Sequence, residues 1–239
     1  MATFLQLVNR LAQESDVQSG ASSVSAVLNQ TGKAKKFVDW ISAAHDAIQN
    51  RHTDWRWMRS KWTVNTTSGD DTYAGTDCTD SRLSATVTRF GRWIPFDDQG
   101  ASNVKIYLTS DGVSGERWMV NLPWSYFMSI YKRGTQNNGV PVHVTIDPQD
   151  NLVIGPKPDG IYTLSGEYQM SALVLTNDAD TPEFPSRFHD VIVWRALERY
   201  ARSSAAPESL SLAQIEGGRL MRELEAVQKP PIVLGPPLA

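Results

Sequence analysis

The residues best suited to chemistry in this chain of 239 residues are few and widely separated. The four histidines are His45, His52, His143 and His189, and no two of them form a helical H-E-x-x-H pair or stand in a carboxylate-rich metal motif. The sequence also has no G-x-S-x-G elbow, no Walker loop and no dinucleotide fingerprint. We therefore predict a protein that is not an enzyme and that uses neither a cofactor nor a metal ion.

Four aspartates and the single cysteine are the other residues to consider. Asp70, Asp71, Asp77 and Asp80 lack the D-x-[DN]-x-[DN]-G spacing and the closing glutamate of a calcium loop, so we expect a solvated hairpin loop. Cys78 has no partner for an internal disulfide and no histidine or base close to it in sequence. We interpret it as an inert small residue.

Two groups of arginine and tryptophan side chains are candidates for contact with a partner. Trp55, Arg56, Trp57 and Arg59 cluster where a helical pattern gives way to strands, and both residue types concentrate binding energy at interfaces. A second group of arginines follows helical spacing and would contact a partner's phosphates or carboxylates. The alternative is a solvated helix face, which a glutamate interrupts here. Its members are Arg195, Arg199 and Arg202.

The eight tryptophans indicate a large apolar interior. Burying one indole removes about 200 Å² from water, which stabilises the fold by about 5 kcal/mol at about 25 cal/mol per Å². We therefore expect roughly six of the eight in the core. The others would lie at subunit contacts or form a platform on which sugars stack.

The charge and hydropathy of the chain exclude some classes of protein. Its 23 basic and 26 acidic residues give a net charge of −3, so it does not resemble a protein that wraps nucleic acid by neutralising phosphates. No stretch approaches about 18 uninterrupted apolar residues, and the first ten residues do not resemble a secretion signal. We expect a soluble, unprocessed protein without a membrane partner, assembled in a reducing cytoplasm or otherwise poor in thiols.

Helical periodicity occupies both ends of the chain, and strand patterns occupy its middle. The predicted helices run from about Thr3 to Glu14, Lys33 to Arg51, Ile192 to Arg202 and Pro207 to Val227, with a short one at Trp124 to Arg133. At least six strands are predicted, the clearest being a hairpin of residues 142–146 and 152–154 and a following strand from Tyr162 to Met170. Helices from the two ends must bury their apolar stripes against each other. We therefore predict an α+β fold, with a helical core formed by N- and C-terminal helices and an inserted antiparallel β-domain that is sandwich or barrel-like.

The chain is predicted to have four parts. Residues 1–60 and 182–228 are the two halves of the helical core, and residues 61–181 are the inserted β-rich domain. Within the last helix, Gly217 and Gly218 predict a close approach of another helix, because mid-helix glycine otherwise costs about 1 kcal/mol.

Residues 229–239 form the fourth part, a proline-rich extended tail. Four prolines bias it towards polyproline II, so it is ordered in advance for docking on a neighbour. The expected docking residues are Pro230, Pro231, Ile232, Val233 and Leu234.

Three segments together resemble the head-to-tail adaptor, or connector, proteins of tailed bacteriophages. They are residues 4–11 (FLQLVNRL), residues 54–59 (DWRWMR) and residues 188–201 (FHDVIVWRALERYA), and the resemblance covers nearly the whole chain. These segments are patterns of helix packing and carry no catalytic residue.

The resemblance implies a structural virion protein at the head-tail junction. It implies a homo-oligomeric ring, usually twelve-fold, that joins the portal protein to tail or nozzle proteins, and DNA contacts such a ring passively as it passes through. The slightly acidic charge suits a channel in which DNA must slide. The tail would then reach an adjacent subunit or the portal.

Two other functions remain open from the sequence. A carbohydrate- or receptor-binding virion protein would use the aromatic β-domain. A hydrolase would assemble its site from histidines and carboxylates distant in sequence.

Overall fold

The computed structural model describes residues 1–15 and 23–229. The predicted polar linker lies partly outside these residues, and the predicted proline-rich tail lies outside them except for Lys229. Five helices were found in the described parts of the chain. They are α1 (Phe4–Glu14), α2 (Gly32–Gln49), α3 (Trp124–Tyr131), α4 (Asp190–Ser204) and α5 (Pro207–Gln228).

Eleven strands lie between α2 and α4 in the described chain, with α3 among them. They are β1 (Arg59–Asn65), β2 (Thr72–Tyr73), β3 (Thr79–Asp80), β4 (Ala85–Thr86), β5 (Phe90–Ile94), β6 (Lys105–Leu108), β7 (Arg117–Trp118), β8 (Val120–Asn121), β9 (His143–Ile146), β10 (Leu152–Gly155) and β11 (Tyr162–Met170). The α+β class is therefore confirmed, with helices at both ends and strands in the middle.

Two compact units divide the described chain. The helical unit contains residues 1–57 and 172–229, and the strand unit contains residues 58–171. Each unit holds its own core.

In the helical unit, helices from both ends of the chain pack together. The start of α1 is fixed by a capping box in which the Thr3 hydroxyl accepts the amide N–H of Gln6, and the Gln6 side chain accepts that of Thr3. Beyond the cap, α1 contacts α2 and α4, and α4 contacts α5. The apolar stripes buried there include Phe4, Leu7 and Leu11 of α1 and Val191 and Ile192 of α4. The expectation that the two ends meet is thus confirmed.

The glycines of α5 behave differently from each other. A Cβ atom at Gly217 would lie 3.1 Å from the Cβ of Trp194 on α4, so this glycine permits the two helices to approach. A Cβ at Gly218 would come no closer than 3.9 Å, to the end of the Arg222 side chain. The predicted close approach is therefore confirmed at Gly217 and is wrong for Gly218.

The strand unit contains two sheets. The larger has seven strands in the order β4-β3-β1-β11-β6-β7, with β5 also pairing with β11, and the smaller has four in the order β2-β10-β9-β8. Every pairing is antiparallel except that of β8 with β9, whose connection contains α3. The described strands do not close into a barrel, so that alternative is wrong. The predicted hairpin is confirmed as β9 and β10, and the predicted Tyr162–Met170 strand as β11.

Two of the four aspartates are not solvated as predicted. Asp80 is 1% exposed and accepts hydrogen bonds from the Tyr168 hydroxyl at 2.6 Å and the Ser60 hydroxyl at 3.0 Å, and Asp71 is buried with an ion pair to Lys132 at 2.7 Å. The prediction of a solvated loop was wrong for these two residues. Sequence spacing does not reveal that β1 and β11 bring Ser60 and Tyr168 to Asp80. In the described residues, no group of histidine, cysteine and acidic side chains is arranged to hold a metal ion.

The tryptophans are less deeply buried than predicted. Three are fully enclosed, four are half-buried and one, Trp118, is 58% exposed. The enclosed three are Trp55, Trp62 and Trp93. Trp62 fits because it lies against Gly166, where a Cβ atom would come within 2.9 Å of the indole. Indoles on amphipathic helices remain half-buried because their stripe borders the surface.

Candidate interaction surfaces

The predicted arginine row of α4 lines a cleft in the helical unit. Arg195, Arg199 and Arg202 face this cleft together with Arg51, which follows α2. Its remaining lining is apolar apart from Glu198, and the cleft volume is about 450 Å³. We call this surface the arginine cleft. Its apolar lining residues are Ala44, Ala47, Ile48 and Met221.

One carboxylate organises the arginines of the cleft. Glu198 is buried and forms ion pairs with Arg195 at 3.0 Å and with Arg202 at 3.6 Å, at helical spacings of three and four residues. Arg199 is exposed, and no carboxylate of the described chain forms an ion pair with it. The cleft thus displays more guanidinium groups than its own carboxylate can neutralise.

The fourth arginine of the cleft is held by α5. Arg51 donates from Nε to Glu225 at 2.7 Å, and His52 Nε2 lies 2.9 Å from the same oxygen. Burial raises the pKa of Glu225, but the hydrogen bonds from His52 and Arg51 and their charges outweigh it, so the pKa is lowered. Arg51 was not among the predicted contact residues, although its spacing from Ala44 and Ile48 continues the face of α2 that lines the cleft.

The predicted tryptophan cluster divides between core and surface. Trp55 is 0% exposed, donates from Nε1 to the carbonyls of Ile48 and Gln49, and stacks on Trp57 with ring centroids 4.2 Å apart. It therefore supports the end of α2 from inside. Trp57 is half-buried, and its indole nitrogen has no acceptor in the described residues.

The two arginines of that cluster are accessible to different degrees. Arg56 is exposed, whereas Arg59 is half-buried at the start of β1 and contacts Asp98 at 3.3 Å. Within the helical unit, Arg56 and part of Trp57 remain available for a partner.

A second groove in the helical unit is lined by aromatic rings. Phe37 and Trp40 of α2 and Tyr200 of α4 lie with their centroids 6.0 to 6.1 Å apart. Lys33 and Lys36 stand at its edge, and the groove volume is about 190 Å³. We call this surface the aromatic groove. The sequence did not predict this groove, because helical periodicity does not reveal which of its rings stay accessible.

The strand unit has a polar cleft of about 350 Å³ beside Trp118. The ammonium group of Lys105 lies 4.4 Å from the centre of the Trp118 ring and 2.7 Å from Glu116. Lys61 and Glu167 also line this cleft. An exposed indole among hydrogen-bonding side chains is the arrangement that the sugar-stacking alternative requires.

The four histidines are separated and serve local contacts. His189 is buried and lies 3.0 Å from the Phe184 carbonyl through Nε2, and its Nδ1 accepts the amide N–H of Ala2 at 3.3 Å. His143 lies 2.6 Å from the Tyr131 hydroxyl, and His45 lies 3.2 Å from the Gln49 amide. The contacts of His189 and His143 join different segments of the chain, whereas His45 and Gln49 lie one turn apart in α2. None of these contacts is a nucleophile-base pair.

A comparison with protein families decides the class of this chain. A family model described as SU10 adaptor protein matches residues 2–232. The chain belongs to the SU10 adaptor protein family. It is thus a structural adaptor protein of a phage, as the resemblance in the sequence indicated. No curated protein matches the chain.

Family membership gives a context to the surfaces of this SU10 adaptor. An adaptor acts through contacts with other proteins, so accessible clefts that carry unbalanced charge or exposed rings are the places to examine. The arginine cleft and the aromatic groove both lie along α2 and α4, whereas the Trp118 cleft lies in the strand unit. No helix within the described residues has the length and apolar character to cross a bilayer.

Proposed function

We propose that this adaptor forms a homo-oligomeric ring, twelve-fold, at the head-tail junction of the virion, where it joins the portal protein to tail or nozzle proteins. The observation that carries the proposal is the family match over residues 2–232. The ring is assembled in the host cytoplasm and lets DNA pass through its centre, with only passive contacts to the nucleic acid.

The arginine cleft supports a heterologous contact between copies. In a closed ring, each subunit presents two different faces to its neighbours, and complementary charge fixes their register. A cleft lined by four arginines and one carboxylate, on a chain whose net charge is −3, fits carboxylates of the next copy. Arg195, Arg199 and Arg202 would make this contact.

The junction and the tail supply the other proposed contacts. Arg56 and Trp57 would face a neighbour or the portal, with Trp55 supporting them from the core and Arg59 held by its ion pair to Asp98. The segment of residues 230–234 (Pro-Pro-Ile-Val-Leu) would dock on an adjacent subunit or on the portal. The domain division proposed from the sequence assigns these contacts to the helical core and the tail.

Mass measurement tests the proposed assembly directly. The purified full chain is measured by native mass spectrometry alone and after mixing with portal complexes. We expect a species with twelve copies, formed alone or on the portal, and its presence in isolated virions at the head-tail junction. A chain that stays monomeric with the portal and is absent from virions would refute the proposal.

The Trp118 cleft favours a second candidate, carbohydrate or receptor binding. One face of the indole is covered by Lys105, which leaves the other for a sugar ring, and Glu116 and Asn103 supply polar groups beside it. A glycan panel read by tryptophan fluorescence tests this function, with Trp118→Ala as the variant. Quenching that disappears in Trp118→Ala would support it, and the absence of any quenching would exclude it for the glycans tested.

A further inference from the structure

The aromatic groove has the chemistry that binds extended proline-rich chain. Aromatic rings provide flat apolar surfaces on which proline rings and aliphatic side chains pack, and polyproline II leaves all its carbonyls free to accept hydrogen bonds. The half-buried Trp40 indole N–H has no acceptor in the described residues, and Lys33 and Lys36 are exposed donors at the same edge. The groove thus combines apolar packing with donor groups, and the Ser203 and Ser204 hydroxyls that also line it already donate to the Tyr200 carbonyl.

The chain itself contains a segment with matching chemistry. In polyproline II, every third residue lies on the same edge, so Pro231, Leu234 and Pro237 would form one apolar ridge. The segment of residues 230–239 carries no charged side chain. It needs donors for its carbonyls and an apolar surface for its ridge, and the aromatic groove supplies both.

The segment is too short to fill the aromatic groove of its own copy. Glu225 contacts Arg51, and Lys229 lies one helical turn beyond Glu225, which is about 6 Å. Trp40 lies about 16 Å from Arg51 in the direction of the start of α2. Both α2 and α5 run antiparallel to α4, since Trp40 meets Tyr200 near the end of α4 and Gly217 meets Trp194 near its start. The segment would therefore have to reverse direction and cover about 22 Å within its own copy. At about 3.1 Å per residue, about seven residues would be used before the groove is reached. Pro231 and Leu234 therefore cannot occupy their own groove.

We propose that the aromatic groove of one copy binds residues 230–239 of a second copy. The ridge of Pro231, Leu234 and Pro237 packs on Trp40 and Tyr200, and the donors at the edge bind the carbonyls of the segment. This inference rests on the proposed homo-oligomer and deepens it, because it assigns the tail to a site on the neighbouring subunit.

Cysteine cross-linking of full-length chains tests the assignment. One copy carries Ser203→Cys at the groove, where Ser203 is exposed, and a differently tagged copy carries Leu234→Cys. The two are mixed with portal complexes and treated with a short bismaleimide. Native Cys78 is buried, and burial raises the pKa of its thiol to about 12, so it reacts little at neutral pH.

A matched control places the first cysteine at Glu223→Cys, an exposed position of α5 far from the groove. We expect the Ser203 and Leu234 pair to give a cross-linked heterodimer with a yield on the order of tenfold above this control, because docking raises the effective concentration. A synthetic peptide of residues 229–239 should compete, and its Leu234→Ser version should need a concentration about tenfold higher. The Val233→Ser peptide, altered on another edge, should compete like the unmodified one.

The outcomes separate this inference from the proposed function. A ring of the expected mass without cross-linking above the control would refute the docking site and leave the adaptor ring standing. A single chain with both cysteines that cross-links only within itself would show that each groove takes its own tail, which overturns the inference. A chain that neither oligomerises nor enters virions would refute both.

Discussion

At the scale of single residues, Asp80 shows how a loop aspartate becomes part of a core. Its carboxylate accepts two side-chain hydroxyls and the backbone N–H groups of Arg82 and Leu83 at 2.7 and 3.1 Å. Burial raises the pKa of Asp80, but these hydrogen bonds outweigh it and lower the pKa. Burial, together with the same bond to Asp80, raises the pKa of Tyr168. The pair therefore joins the β3 turn to β11 through a charged hydrogen bond.

Replacing Asp80 by Asn should destabilise the protein by about 3 kcal/mol, because buried donors lose a charged acceptor and some are left unsatisfied. Chemical denaturation at neutral pH measures this. Asp98→Asn is the control, since the exposed Asp98 forms a surface ion pair and should cost less than about 1 kcal/mol. Equal losses in the two variants would contradict the role given to Asp80.

His189 should make the stability of the protein depend on mildly acidic pH. Burial lowers the pKa of His189, and the Ala2 amide occupies its unprotonated nitrogen. The unfolded chain binds a proton at about pH 6.5, whereas the folded chain does so only at lower pH. This contribution is therefore present above about pH 6.5 and is lost as the pH falls towards the lowered pKa. Denaturation midpoints at pH 7.5 and 5 measure the loss, and His189→Gln should reduce the difference between them. Parallel pH dependence in both proteins would contradict the prediction.

At the scale of elements, the α4 and α5 pair depends on one glycine. The Cβ of Trp194 is fixed to the α4 backbone, so a methyl group at Gly217 cannot be accommodated by a side-chain rotation alone. The same methyl group at Gly218 meets only the flexible end of Arg222. Two adjacent glycines in one helix therefore differ in their structural role.

Substitution by alanine should separate the two glycines. Gly218→Ala should stabilise the protein by about 0.5 to 1 kcal/mol, because alanine loses less conformational entropy in a helix. Gly217→Ala should be destabilising by about 1 kcal/mol, since crowding against α4 exceeds that gain. Thermal and urea unfolding of the two single variants provide the measurement, each serving as the other's control. Stabilisation by both substitutions would show that α4 and α5 can separate at little cost.

At the scale of the whole molecule, the arginine cleft and the aromatic groove are both products of packing α2 against α4. Positions 33, 36, 37 and 40 of α2 line the aromatic groove, and positions 44, 47, 48 and 51 line the arginine cleft. These positions recur every three to four residues, so they lie on one face of α2 and of the turn that follows it. One seam between two helices therefore carries both surfaces proposed for assembly.

Charge reversal at Arg199 should weaken assembly without unfolding the subunit. Arg199→Glu places a carboxylate in the cleft facing those of the neighbour, and we expect association to weaken by about tenfold or more. Arg222→Glu is the control, since Arg222 is an exposed arginine of α5 outside the cleft. Native mass spectrometry and light scattering measure the assembled fraction.

Raising the salt to about 1 M should weaken the native assembly as well, because the screening length falls to about 3 Å. Insensitivity to both changes would remove the cleft from the interface.

Much of the fold could be predicted from the sequence, because its signals are local. The Thr3 cap, the hairpin of β9 and β10 and the extent of β11 follow from residues close together in the chain. The prediction was less accurate where partners come from far away. Asp80 was expected in solvent, yet Tyr168 reaches it across 88 positions of sequence.

The candidate surfaces divide in the same way. The arginine row of α4 is visible in the sequence because helical spacing brings its members to one face. Arg51 follows α2, is held by Glu225 of α5 and joins that row only through tertiary packing, and Tyr200 meets Trp40 through the packing of α2 on α4. Trp55 was predicted as a contact residue and is buried within its own chain, since periodicity fixes a face but not what covers it.

The amino-acid sequence by itself determined the kinds of element, their order, the absence of recognisable catalytic motifs and the resemblance to phage adaptors, all of which depend on short-range patterns. Only the tertiary structure decided which charged and aromatic side chains share a cleft, because that depends on long-range pairing of helices and strands. Burial depends on the same pairing, so accessible rings and enclosed carboxylates could be distinguished only after the chain had folded.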